Sequence, residues 1–437
     1  MFVCGSRLAP GLAPVVFVLF VIRKGAGASP GAKLSSFLMF DPNRFIHARA
    51  RAVDASGIRR VFDLAAKLKD PVNFSIGQPD FDVPQAVKDG AIAAIQKGMN
   101  RYTVTQGTRE LHERVSRLIS SEFPNWRAAG PALTNSELGT RNSELPFSTL
   151  ITSGVSGGLV LALMTCVGPG DEVLIPDPGF VMYKHLIRLV GATPVLVDTY
   201  PDFQLTAARL EKYITPRTKM ILFNSPANPT GVVATEAICR DVVALADKHN
   251  LLLLSDEIYD EFCYEKVKRA DGSLKCPSPA SYSDRILLLR GFSKTYGMTG
   301  WRLGYAVGPA AIIEQMTKLQ QYTFVCAPSM VQIAGVIALE TDMSEHVEAY
   351  RRKRDTLVSA LKSKYEIALP GGAFYAFPKV PDHLKLTGQQ FVEKAIERSL
   401  LIIPGNVFSD RDTHFRISYA CDDKMLARGI EILLDLA

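Results

Sequence analysis

The chain has 437 residues, enough for two domains around a large shared core. Hydrophobic residues make up 47% and charged residues 22%, which is ordinary for a soluble globular protein. Of the net charge of +6, residues 1–38 supply four basic side chains and no acidic one, which leaves 46 basic against 44 acidic residues in the remainder. This near balance argues against nucleic acid or an anionic membrane as a partner.

The start of the chain differs in composition from the rest. Residues 12–22 are nearly all apolar, but the run is too short to span a bilayer as a helix. Met39 opens the sequence Met-Phe-Asp-Pro-Asn-Arg-Phe, which is typical of a natural start. We therefore expect residues 1–38 to lie outside the fold, either as an upstream extension or as a targeting segment that is removed.

The cysteines are scattered without the spacing of a metal site, so no metal is predicted. This usage indicates a reducing intracellular compartment, and we expect a cytoplasmic protein. The seven residues are Cys4, Cys166, Cys239, Cys263, Cys276, Cys326 and Cys421.

The first third of the chain predicts helices around a single strand. Helices are expected at 39–69, 83–97 and 108–121, with a strand and turn at 71–80 and a loop at 100–107. Between 127 and 148 the pattern collapses, and the letters NSEL recur seven residues apart. We interpret this stretch as a polar insertion in a surface loop.

From residue 149 onward, short apolar runs alternate with helical patterns. The runs are 149–152, 172–175, 194–197, 220–223, 251–254, 286–289 and 303–308. The helical patterns between them are 156–167, 179–190, 206–213 and 235–249. Uninterrupted apolar strands with helical crossovers predict an α/β fold with a parallel sheet covered on both faces. Ligands bind such a sheet beyond the carboxyl ends of its strands, so the residues after each strand are the candidates for a site.

Residues 326–437 lack this alternation. Helices are expected at 331–339 and 345–361, and strands at 371–378 and 415–420. The change of pattern predicts a separate, smaller unit at the end of the chain.

The strand ends carry polar residues with chemical potential. Residues 153–158 (SGVSGG) open a helix whose free amides would favour a phosphate. Asp256 follows four leucines, where a buried carboxylate is costly without a cationic partner. Lys294 follows the run 286–289 in a glycine-rich stretch, and Arg302 comes eight residues later. A lysine amine can form a Schiff base with an aldehyde, and a guanidinium can hold its phosphate.

The stretch SKTYGMTGWRLGY, residues 293–305, resembles the cofactor-lysine motif of class I/II aminotransferases. These belong to the aspartate-aminotransferase superfamily of fold-type I enzymes, which use pyridoxal 5′-phosphate (PLP). The resemblance runs from about Phe74 to the C-terminus. It implies a mostly parallel seven-stranded sheet between helices in a large domain at 81–325, and a small α+β domain at 326–437 completed by an N-terminal arm at 39–80.

The resemblance also implies a role for particular residues, as expectations. Catalytic roles fall on Lys294, Asp256 and Tyr259. Cofactor-binding roles fall on Lys294, Gly154, Val155, Ser156, Phe180, Asn228, Asp256, Tyr259, Ser293, Arg302 and, from the neighbouring subunit of a homodimer, Tyr102. Substrate-binding roles fall on Gly77, Asn228 and Arg416, with Arg416 holding the α-carboxylate.

The implied activity is transfer of an amino group between an L-amino acid and a 2-oxo acid by a ping-pong mechanism, with Lys294 as the general base. Two alternatives stay open: a β-eliminating lyase on the same scaffold, and a non-catalytic PLP-binding regulator. Some aspartate-specific relatives carry a lysine where this chain has Ser156. That departure, with Phe374 and Tyr375, leaves aspartate, alanine, branched-chain and aromatic donors open.

Overall fold

The computed structural model describes residues 41–51, 53, 68–126, 147–269 and 272–437. The expected extension 1–38, most of the expected helix 39–69 and most of the insertion 127–148 lie outside the described residues. The end of the predicted insertion differs from expectation, because Phe147 is buried and Ser148 begins a strand. The chain divides into two compact units, residues 1–46 and 47–437. In the first, a short 3-10 helix at Pro42–Phe45 is capped by the Asp41 side chain.

The second unit contains all the strands and α-helices of the described chain. The strands are β1 Val72–Asn73, β2 Ser148–Thr152, β3 Glu172–Asp177, β4 Thr193–Asp198, β5 Thr218–Asn224, β6 Leu252–Asp256, β7 Val267–Lys268, β8 Leu274–Lys275, β9 Leu287–Gly291, β10 Gly304–Gly308, β11 Tyr375–Ala376, β12 Leu400–Leu401, β13 Ile403–Pro404 and β14 Phe415–Ser418. The α-helices are α1 Ala48–Arg51, α2 Gln85–Gln96, α3 Arg109–Glu122, α4 Gly154–Cys166, α5 Met182–Leu189, α6 Ala207–Glu211, α7 Glu236–Lys248, α8 Ala310–Tyr322, α9 Ser329–Ala338, α10 Ser344–Leu361, α11 Gly388–Glu397 and α12 Asp423–Leu436.

The central sheet has seven strands in the order β2-β10-β9-β6-β5-β3-β4. Strand β10 runs antiparallel to β2 and β9, and the other pairs are parallel. The predicted α/β fold with a mostly parallel seven-stranded sheet is confirmed. Six of the seven predicted apolar runs fall within one residue of a strand start, because uninterrupted apolar runs suit strands buried on both faces.

Two apolar cores cover the two faces of this sheet. Within β9, Leu288 packs into one core, whereas Leu287 and Leu289 pack into the other. Strand β5 divides in the same way, with Ile221 on one side and Met220 on the other. Because successive side chains of a strand point to opposite faces, every residue of these runs has to be apolar.

A third apolar core lies in the C-terminal part of the chain. There β11, β14 and β13 form an antiparallel three-stranded sheet, and residues of α10, α11 and α12 pack on it. Strand β1 joins this part by pairing in parallel with β12. Residues 72–73 therefore belong structurally beside residues 400–401, although some 330 positions separate them in the sequence.

The expectation for 371–378 was too long, since only Tyr375–Ala376 form a strand. Residues 371–374 instead form a turn that leads into this strand, and Ala373 has a positive φ of 54°. Among the described residues, no helix combines the length and apolar character needed to cross a membrane.

Candidate active site

A cavity of about 350 Å³ opens where the carboxyl ends of the parallel strands meet the C-terminal sheet. It brings together most of the residues singled out from the sequence. The predicted residues that line it are Gly77, Val155, Ser156, Phe180, Asn228, Asp256, Tyr259, Ser293, Lys294, Arg302 and Arg416.

Lys294 reaches into this cavity from the turn after β9. Its Nζ donates a hydrogen bond to the carbonyl oxygen of Gly77 at 2.5 Å. Desolvation within the cavity lowers the pKa of the amine to about 8, and the charges of Arg416 and Arg302 add to the effect. A larger fraction of the amine is therefore neutral and nucleophilic near neutral pH than for an exposed lysine.

Asp256 ends β6 and is 3% exposed. Its Oδ2 accepts a hydrogen bond from the Tyr183 hydroxyl at 2.7 Å, and its Oδ1 accepts one from the Ile258 amide at 3.2 Å. Burial raises the pKa of this carboxyl to about 6, and the bond from Tyr183 partly opposes the rise. Within the described part of the chain, no lysine, arginine or histidine nitrogen forms an ion pair with Asp256. A cationic ligand atom would supply the partner that a buried carboxylate requires.

The N-terminus of α4 and the Arg302 guanidinium form an anion site. Helix α4 begins at Gly154, whose φ of +70° favours glycine. A Cβ on Gly154 would lie 2.6 Å from Nη2 of Arg302, so only glycine lets the guanidinium approach this helix end. Arg302 itself is held by a bond from Nη1 to the Thr299 carbonyl at 3.1 Å. Free helix amides and a guanidinium together suit a phosphate.

Arg416 lies in β14 and is almost completely buried. Its Nη1 donates to Oδ1 of Asn228 at 3.1 Å, and its Nη2 donates to the Ser75 carbonyl at 2.8 Å. The guanidinium lies 4.6 Å from the ring centroid of Tyr375 and 4.8 Å from that of Phe408. Its Nε is buried and has no hydrogen-bond partner among the residues that the structure describes. This cation is therefore fixed in place with donor capacity left for a carboxylate.

Aromatic residues and the Gly77 turn complete the walls. The hydroxyls of Tyr259 and Tyr375 lie 2.9 Å apart, and either could be the donor. Phe180 meets Tyr183 edge-on at 5.5 Å between ring centroids. A Cβ on Gly77 would lie 2.8 Å from the Tyr375 hydroxyl oxygen, so this close approach also requires glycine.

Two of the residues predicted to bind the cofactor do not line the cavity. Gly154 lies at its edge, next to Arg302. Tyr102 is 84% exposed and lines a separate surface depression together with Arg101 and Cys326. Phe374, a predicted candidate for the side-chain pocket, is fully buried and is not part of the lining.

Several lining residues were not predicted from the sequence. Asn224, the last residue of β5, accepts a bond from the Asn228 amide at 3.0 Å and donates to the Asp256 carbonyl at 2.9 Å. Its place at a strand end was a usable signal. Tyr183 lies inside α5, where nothing in the pattern distinguishes it from a core residue. The remaining lining residues that were not predicted are Gln78, Leu159, Ile258 and Thr299.

Comparison with known proteins gives this arrangement its context. The family described as aminotransferase class I and II matches residues 69–433. The chain belongs to this family. The enzyme is thus a transaminase of the aspartate-aminotransferase superfamily, as the resemblance implied. The β-eliminating alternative is not favoured, because the relatives that follow are named as aminotransferases.

Three relatives illustrate the similarity. A probable aspartate aminotransferase of Methanocaldococcus jannaschii is 33% identical over 90% of this chain and 99% of its own length. An aromatic-amino-acid aminotransferase of Thermococcus litoralis is 34% identical over 88% of this chain and 96% of its own. The structure of a Thermus thermophilus aspartate aminotransferase with maleate superposes with a TM-score of 0.79, at 29% identity, over 90% of this chain and 99% of that one.

Proposed function

We propose that this transaminase holds PLP at Lys294 and moves amino groups from an L-amino acid with an uncharged side chain. The observation that carries the proposal is the cavity itself. It combines an amine of lowered pKa, a buried carboxylate that forms no ion pair within the described part of the chain, and an anion site at the start of α4. These three features match the aldehyde, the ring nitrogen and the phosphate of PLP in turn.

The residues present fit the cofactor. The α4 amides at 154–156, Ser293 and Arg302 would hold the phosphate, and Phe180 would stack on the ring. Asn228 and Tyr259 would hydrogen-bond the phenolic oxygen, and Asp256 would pair with the ring nitrogen. When bound, PLP supplies an aldehyde that condenses with amines and a cationic ring that withdraws electrons from the substrate α-carbon.

Residues of the chain itself bind the substrate, move the proton and limit the access of water. Arg416 binds the α-carboxylate through the donors that Asn228 and Ser75 leave free. Lys294 Nζ would act as the general base that takes the proton from the substrate α-carbon, a role that suits its pKa of about 8. The Gly77 turn covers the substrate and limits the access of water. Release of the oxo acid before the second substrate binds gives ping-pong kinetics.

The preference for uncharged donors rests on an inventory of charge. Three cations line the cavity among the described residues: Lys294, Arg302 and Arg416. Each is assigned above, to the amine chemistry, the phosphate and the α-carboxylate. Among the described residues of one chain, this lining offers no free cation for a second substrate carboxylate, and the position where some aspartate-specific relatives carry lysine is Ser156.

We also propose a cytoplasmic homodimer with shared sites. The support is Tyr102, a large aromatic residue that stands 84% exposed in the loop after α2. In the arrangement that the family resemblance implies, this hydroxyl reaches the phosphate of the neighbouring subunit. The division into a large domain at 81–325 and a small one at 326–437 stays a prediction of the sequence.

The test is a screen of purified enzyme, supplemented with PLP, against amino donors with 2-oxoglutarate and with pyruvate. We expect phenylalanine, leucine or alanine to exceed aspartate in kcat/KM, and Ser156→Lys to shift the ratio toward aspartate. Ser156→Ala is the matched control and should leave the ratio within about two-fold. Preference of the wild type for aspartate would contradict the donor proposal, whereas full turnover by Lys294→Ala would contradict the assignment of the amine.

A further inference from the structure

The turn at residues 75–79, which passes over the active site, is attached to the C-terminal part of the chain at its beginning. The Phe74 amide donates to the Leu401 carbonyl at 2.8 Å, and the Ser418 amide donates to the Phe74 carbonyl at 2.8 Å. The next carbonyl, that of Ser75, accepts from Arg416. The entry to the turn is thus tied to β12 and β14.

The end of the turn is attached to the same part of the chain through Asp80. Its Oδ1 accepts from the Tyr350 hydroxyl at 2.5 Å, and its Oδ2 accepts from Lys353 Nζ at 2.6 Å. Its amide also donates to the Tyr350 hydroxyl oxygen at 2.9 Å. Tyr350 and Lys353 lie one helical turn apart on α10, so both point at the same carboxylate. We call these three residues the Asp80 latch.

The Asp80 latch is much less exposed than an ordinary surface ion pair. The side chains of Asp80 and Lys353 are 24% and 13% exposed, and Tyr350 is buried. Two residues away, Asp82 pairs with Lys88 at 2.7 Å, but that carboxylate is 79% exposed. A partly buried carboxylate that accepts hydrogen bonds from two side chains holds these partners more firmly than a solvated carboxylate does.

The latch lies three residues from a backbone atom that contacts the reacting amine. The Gly77 carbonyl accepts from Lys294 Nζ at 2.5 Å, and a Cβ on Gly77 would lie only 2.8 Å from the Tyr375 hydroxyl oxygen. A turn fixed at both ends holds this carbonyl in register with the amine. A turn released at one end would not.

We propose that Asp80 is a positioning residue of this transaminase. Bonded to Tyr350 and Lys353, it makes the turn 75–79 a part of the C-terminal region, so that the turn and Arg416 close on the substrate together. The role of Lys294 in this inference rests on the function proposed above. Asp80 takes no part in making or breaking covalent bonds, because the Asp80 latch acts only on the geometry of the turn.

The test compares Asp80→Ala with Asp82→Ala as the matched control. For Asp80→Ala we expect KM for the amino donor to rise about ten-fold or more, with a smaller fall in kcat, since the turn contacts substrate while the cofactor is held elsewhere. PLP affinity and the absorbance of the lysine-bound cofactor should stay within about two-fold of wild type. Asp82→Ala should leave every one of these quantities within about two-fold.

Two further variants keep the test decisive if Asp80→Ala folds poorly. Tyr350→Phe removes both hydrogen bonds between the Tyr350 hydroxyl and Asp80, and Lys353→Met removes the one from Lys353. Both variants should raise KM for the amino donor, as Asp80→Ala does. Combined with Asp80→Ala, Lys353→Met should add little, because both act through one contact. Additive effects, or unchanged KM in all three single variants, would overturn the proposal. A wild-type enzyme without a cofactor on Lys294 would instead refute the proposed function and leave the KM comparison intact.

Discussion

Asp256 shows how one residue's surroundings prepare it for a ligand. It follows the leucines of β6, so its carboxyl is withdrawn from water, and burial raises its pKa to about 6. Tyr183 donates to the same carboxyl and stabilises its charged form. A group in this state costs free energy when the cavity is empty and recovers it when a cation binds.

This gives a pH prediction for the cofactor-free enzyme. The native carboxyl keeps its proton up to about pH 6, whereas an unfolded one releases it near 3.8. The native state therefore binds more protons between these values, and the free energy of unfolding falls as pH rises through that window. We expect the fall attributable to Asp256 to be on the order of 2 kcal/mol.

The measurement is denaturant unfolding of the cofactor-free enzyme between pH 4 and 7. Asp256→Asn should remove that part of the slope, because the amide does not titrate. In Tyr183→Phe, the fall in the free energy of unfolding should extend to higher pH, because this variant removes a hydrogen bond that lowers the pKa of Asp256. If the free energy of unfolding changed with pH in the same way in wild type and Asp256→Asn, the raised pKa of Asp256 would be contradicted.

A second residue-scale prediction concerns Lys294. With a pKa of about 8, its amine becomes neutral and nucleophilic as pH rises through that value. The rate at which cofactor-free enzyme captures PLP, followed by stopped-flow absorbance, should therefore rise with pH and level off above about 8. Arg416→Met should move the midpoint upward, because the Arg416 charge lowers the pKa of the amine. A midpoint near that of free lysine would contradict the assignment.

At the scale of elements, a buried cluster of charges joins β9 to α3. Arg290 of β9 donates to both carboxylate oxygens of Glu122 at 2.7 and 3.0 Å, and to Glu257 at 2.8 Å. Asp260 lies 3.2 Å from its Nε. Because Glu257 directly follows Asp256, this cluster also fixes the strand end that carries the buried acid.

Arg290→Met should destabilise the enzyme by about 3–5 kcal/mol, because it leaves three carboxylates without their cation in a buried site. Arg109→Met is the control, since Arg109 pairs with Glu113 on the surface and is 76% exposed. That variant should change the free energy of unfolding by less than about 1 kcal/mol. If chemical denaturation showed equal losses of stability for the two substitutions, the buried cluster would stabilise the fold no more than the exposed ion pair does.

Helices and strands could be predicted from the sequence where their buried residues are apolar and follow a regular pattern. Each sheet strand contains a short apolar run that stands out in the sequence, and the polar residues at or after the end of these runs gave most of the site. Helix α8 was missed because its buried face includes Thr317 and Gln320, which break the apolar period. Gln320 is buried to bond the carbonyls of Thr105 and Ile151, a tertiary requirement that no local pattern displays.

The shortest elements were hidden for a different reason. Strands β12 and β13 have two residues each, too few for any period to appear. Their pairing depends on contacts between distant parts of the sequence. The Asp80 latch was invisible for the same reason, since its partners on α10 follow 270 residues later.

At the scale of the whole molecule, shared sites in a dimer make a distinctive prediction. Tyr102→Ala and Lys294→Ala should each reduce activity when expressed alone. A mixed dimer contains one site in which Lys294 of one chain meets Tyr102 of the other, and that site is native. Co-expression of differently tagged chains should therefore restore roughly half of the wild-type activity per purified mixed dimer, one of its two sites being intact. No recovery in the mixed dimer would contradict the shared site.

The central claim is that one amine, Lys294, carries the cofactor. The direct measurement is borohydride reduction of the PLP-loaded enzyme, followed by digestion and mass spectrometry of the labelled peptide. The account predicts a single phosphopyridoxyl group per chain on Lys294, and none in Lys294→Ala. A label on another lysine, or no label on fully loaded enzyme, would contradict it.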